Sequence, residues 1–88
     1  MIPAETVKKM MELSSSELAE ALHRNGYEDD EVSSSKFMGM AQPVRPYSRM
    51  NFMYWISYHD GMGETSSEGT ATIYVGVTDK LEFIADYG

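Results

Sequence analysis

The segment at residues 51–60 (NFMYWISYHD) constrains the fold of this chain more than any other. Read as an extended strand, it puts Phe52, Tyr54, Ile56 and Tyr58 on one side and Met53, Trp55, Ser57 and His59 on the other, because successive side chains point to opposite faces. Both faces therefore carry large apolar or aromatic groups. A chain of 88 residues makes one domain and buries only roughly 60 to 65% of its unfolded surface. A single helical layer can cover one of these faces and leaves the other bare.

Helical spacing dominates the N-terminal third. Pro3 suits a first helical position, Glu5 complements the helix dipole, and Val7, Met10, Met11 and Leu13 form an apolar stripe. Ser14, followed three residues later by Glu17, is a capping-box pattern that starts a second helix with Leu18, Ala21 and Leu22 inward. One uninterrupted helix over 4–25 is the competing reading. Asn25-Gly26 is a stop signal, since glycine accepts the left-handed backbone that closes a helix. The four adjacent acids Glu28, Asp29, Asp30 and Glu31 repel one another and read as a solvated loop or the first turn of a short helix.

The remainder reads as sheet. Residues 33–41 form a strand with Phe37 and Ala41 on one face and Met38 and Met40 on the other, with Gly39 permitting a bulge. Residues 42–49, with two prolines and two arginines, form a loop. After the 51–60 strand, residues 61–69 are a polar hairpin connection. Residues 70–78 alternate with Ala71, Ile73, Val75 and Val77 on one face and Thr70, Thr72, Tyr74 and Thr78 on the other. Asp79-Lys80 is a two-residue turn into a last strand over 81–87, with Leu81, Phe83 and Ala85 pointing one way.

The expected architecture is α+β: one or two N-terminal helices packed on one face of a three- to four-stranded antiparallel meander, in a single domain over 1–88. The expected core is Val7, Met10, Met11, Leu18, Leu22, Phe37, Phe52, Ile56, Ile73, Val75, Val77, Leu81 and Phe83. Met38, Met40, Met53, Trp55, Tyr74 and Ile84 are left for the uncovered face, where an apolar cluster marks an interface. If the helices covered that face instead, the same side chains would be core and the Phe52 face would be wet.

Fourteen acids against seven bases give a net charge of -7, which weakens attraction to phosphate backbones and anionic lipid and favours a partner with a basic surface. Beyond Met50 the only base is Lys80, against Asp60, Glu64, Glu68, Asp79, Glu82 and Asp86. No cysteine is present, which excludes disulfides, thiolate catalysis and thiolate-ligated zinc. With no apolar run near the roughly 20 residues of a membrane span, and charges mixed into the N-terminal segment, the chain is expected to be soluble and cytoplasmic. His23 and His59 are the only histidines. His59-Asp60 beside Ser57 and Tyr58 has the residue types of an acid-base site, but neighbours on a strand point to opposite faces and form no relay. Asp60, Glu64 and Glu68 lack the spacing of a calcium loop. Neither enzymatic activity nor a metal or other cofactor is expected.

The segment LSSSELAEALHRNGY resembles the early helices of helix-turn-helix domains, yet acids follow where a recognition helix would bring arginine or lysine. Direct nucleic-acid binding is accordingly disfavoured. In size, acidity and absence of motifs the chain resembles small phage-encoded inhibitors of host defence, such as anti-CRISPR and anti-restriction proteins. That resemblance implies a non-enzymatic inhibitor, acting in a host cytoplasm, that occludes the basic surface of a larger protein or ribonucleoprotein. Met38, Met40, Met53, Trp55 and Tyr74 would then be its apolar anchor. Glu28, Asp29, Asp30 and Glu31, with Asp60, Glu64 and Glu68 near the hairpin tip, would steer the partner or imitate phosphates as a DNA mimic does. The alternative is a structural subunit that forms a homodimer through the same face.

Overall fold

Local signals set the helical layer. The computed structural model describes residues 2–41, 51–60 and 67–88, with the side chain of Asp60 not described. Helix α1 spans Ala4–Met11 and starts at Pro3, whose carbonyl accepts from the Thr6 and Val7 N–H groups at 3.0 and 3.1 Å. Helix α2 spans Ser15–Arg24, so the chain breaks rather than running as one helix. The break is fixed by a capping box: the Ser14 hydroxyl accepts from the Glu17 N–H at 3.2 Å, and the Glu17 carboxylate accepts from the Ser14 N–H at 3.1 Å. Lys9 joins from α1, with Nζ 2.7 Å from Glu17 Oε2. The Lys9 ammonium and the Ser14 N–H hold the Glu17 carboxyl below its usual range.

Helix α2 ends at Gly26, whose φ of 100° is open to glycine and strained for other residues. The Gly26 N–H donates to the His23 carbonyl and the Tyr27 N–H to the Leu22 carbonyl, each at 3.1 Å, the paired bonds of a Schellman closure.

The sheet is a four-stranded antiparallel meander in the order β1 (Glu31–Met40), β2 (Phe52–Asp60), β3 (Ser67–Val77) and β4 (Phe83–Tyr87). With two helices on one face, this is the expected α+β arrangement. Both helices cover the Phe52 face: Met10, Leu13, Leu18, Ala21 and Leu22 are buried together with Phe52, Tyr54, Ile56, Ile73, Val75, Val77 and Ala85. Phe37, Tyr58, Phe83 and Tyr87 pack half-buried at the margin of that core. The Tyr54 hydroxyl is buried with them, donating to the Met10 carbonyl and accepting from the Leu13 N–H, so it completes the end of α1.

Helix α2 packs on both outer strands, β1 and β4. The Arg24 guanidinium donates to the Phe83 carbonyl at 2.8 Å and lies 3.5 Å from Glu82, while the Ser15 and Ser35 hydroxyls meet at 3.4 Å.

Several expectations need correction. Met11 is exposed, because α1 ends there and turns its last side chain outward. Leu81 is 58% exposed with a φ of 62°, and β4 begins only at Phe83. The Thr78 hydroxyl accepts from the Lys80 and Glu82 N–H groups, and the Thr78 N–H donates to the Glu82 carbonyl at 2.9 Å, so the turn takes in 79–82 instead of two residues. Strand β1 starts at Glu31, earlier than expected, and β3 already at Ser67. The loop expected over 42–49 and the tip of the β2–β3 connection over 61–66 lie outside the described residues.

Candidate functional site

The face of the sheet turned away from the helices is the candidate site. Cross-strand register assembles it in rows. Met53 lies between Gly39 and Tyr74, and Tyr74 faces Asp86 on β4. Trp55 lies between Lys36 and Thr72. Ser57 lies between Ser34 and Thr70, and His59 between Glu31 and Glu68. Ile84, opposite Gly76, extends the face onto β4.

Trp55 sits on an inner strand yet is 43% exposed, because no helix among the described residues crosses above it. Met53 and Tyr74 are half-buried in the next row, and Ile84 is half-buried farther out on β4. The face is thus apolar at its centre and acidic at one end, where the exposed Glu31 and Glu68 stand on the same side of the sheet as Trp55.

Three of the expected anchors, Met53, Trp55 and Tyr74, are brought together here. The two outer methionines are not. The register between β1 and β2 slips between Phe37 and Gly39, leaving Met38 as an extra residue with no partner opposite, 51% exposed at the sheet edge. Beyond the slip Met40 pairs with Phe52, which puts it on the helix side and not beside Trp55; it is 67% exposed there because the core ends short of it. The φ of 109° at Gly39 is what admits this bulge.

The acidic run divides in the same way. Glu28 and Asp29 are exposed in the turn after α2, and Glu31 opens β1. Asp30 is not solvated: it is 6% exposed, its carboxylate accepts from the Tyr87 hydroxyl, and its carbonyl accepts from His23 Nε2 at 2.7 Å. Among the expected tip acids, Glu68 is exposed on β3, Asp60 ends β2, and Glu64 lies outside the described residues. Lys36, which is not among the expected anchors, stands directly opposite Trp55. The signal for it was the alternation with its neighbour Phe37, whereas a count from Glu31 crosses the register shift between Val32 and Ser34.

No group of acids and histidines among the described residues is arranged to hold a metal ion. No helix among them is long and apolar enough to cross a membrane. No family model, curated protein or solved structure matches the chain.

Proposed function

We propose that this protein is a non-enzymatic binding module that docks on a larger partner through the helix-free sheet face, and that the partner surface is basic. One observation carries this reading: the register puts an exposed tryptophan and the carboxylates of Glu31 and Glu68 on a single face. Tryptophan on an accessible face is a frequent hot-spot residue, and carboxylates beside it raise the encounter rate with a basic surface. The narrower proposal is an inhibitor that occludes a basic surface of a nucleic-acid-handling or host-defence complex, of the anti-CRISPR or anti-restriction kind. Its support is the likeness in size and the net charge of -7.

A tagged capture from a bacterial lysate rich in nucleic-acid-handling complexes, run beside Trp55→Ala and read by mass spectrometry, tests both levels. The expected result is a large basic partner retained by the wild type and lost by the variant, whose circular dichroism is unchanged. Equal retention by Trp55→Ala would overturn the assignment of the face, and a tight dimer in light scattering with no captured protein would favour the self-assembling subunit.

A further inference from the structure

A second site lies around the end of the sheet, where the turn after α2 meets β2 and β4. A cleft of about 330 Å³ is lined there by Tyr27, Glu28, Asp29, Asp30, Tyr58 and Tyr87, with Gly26 at its back. That volume falls at the lower end of the range of small-ligand sites and leaves ample room for a side-chain head group. The three aromatic rings form a connected group: Tyr27 and Tyr87 meet edge to face with centroids 4.8 Å apart, and Tyr58 and Tyr87 are tilted at 5.6 Å. The hydroxyls of the first pair are engaged, Tyr27 donating to Asp86 Oδ1 at 2.6 Å and Tyr87 to Asp30 Oδ2. Those bonds fix both rings in place where they line the cleft. Gly69 lies beneath Tyr58, where a Cβ would come within 3.2 Å of the phenol oxygen, so glycine allows the Tyr58 ring to settle against β3.

We infer that this cleft receives the guanidinium of an arginine side chain from a protein partner. An organic cation gains from the electron-rich face of an aromatic ring within about 6 Å, and a planar guanidinium also stacks on such rings while pairing with carboxylates. Glu28 and Asp29 supply carboxylates at the exposed rim, and no basic side chain among the described residues lines the cleft to compete. The inference rests on the reading that the partner is basic, but it uses different residues from the sheet face.

The test is a nuclear magnetic resonance titration of the intact protein with Nα-acetylarginine methylamide, its neutral citrulline isostere and tetramethylammonium, following the rings of Tyr27, Tyr58 and Tyr87. Saturable shifts with the arginine compound and not with citrulline are expected. The E28Q/D29N double variant, altered only at exposed positions, should bind about three- to tenfold more weakly, as expected for losing two partly solvated charge partners. Tyr58→Leu should weaken binding by a similar factor without altering the Trp55 signals. Equal response to citrulline, no response at tens of millimolar arginine compound, or tighter binding of tetramethylammonium than of arginine would overturn the inference. Trp55→Ala should titrate like the wild type, so the cleft can fail while the docking face stands, and the reverse.

Discussion

Tyr54 shows how one polar atom ties the two layers together. Its ring sits among the apolar residues of β2, while its hydroxyl bonds to Met10 and Leu13 at the end of α1. Removing the hydroxyl in Tyr54→Phe leaves a buried carbonyl and a buried N–H without their partner, so urea unfolding should register a loss of about 1 to 3 kcal/mol. Burial also raises the ionisation of this phenol above its ordinary value of 10.0. The folded state then holds the proton more tightly than the unfolded chain does. The stabilisation is complete below pH about 10 and declines as pH climbs through the raised folded value. The stability gap between wild type and Tyr54→Phe should therefore narrow in alkaline solution, which unfolding curves taken across that range will read directly.

At the scale of elements, most of what depends on near neighbours in the chain was legible. Ser14 with Glu17 announced the break between the helices, Gly26 their end, and Gly39 the bulge, because each signal acts within a few residues. What failed was counting across such features. A bulge reverses the alternation beyond it, so Met40 could not be assigned to a face without knowing that Met38 is the extra residue. The 79–82 turn was misread because the Thr78 hydroxyl, bonding two N–H groups ahead, stabilises a wider connection than Asp79-Lys80 suggests. The charge of the acidic run hid the burial of Asp30, whose partner Tyr87 is 57 positions away in the chain. Gly26→Ala tests the clearest of the local signals: the surrounding space is open, so the cost is the backbone strain alone, about 1 to 2 kcal/mol in thermal or urea unfolding.

For the whole molecule, size limits how much of the sheet is covered. Two short helices cover one side of a four-stranded sheet, and no material in the described residues covers the other. The Ile73, Val75 and Val77 alternation favoured the side that is covered, but the large groups on both sides of residues 51–60 left the choice open. The acidic end of the open face was not foreseeable, because it needs the pairing of Glu31, His59 and Glu68 across three strands. The division of β2 between its two sides also makes the molecule its own optical instrument. Tyr54 looks into the interior, and the next residue is the single tryptophan, which looks out. Emission from Trp55 should already be red-shifted in the free protein and change little on unfolding, while shifting to the blue when a partner seats on the face. Fluorescence can thus read occupancy almost free of interference from folding, and a blue-shifted free protein that moves to the red on dilution would instead reveal copies leaving one another.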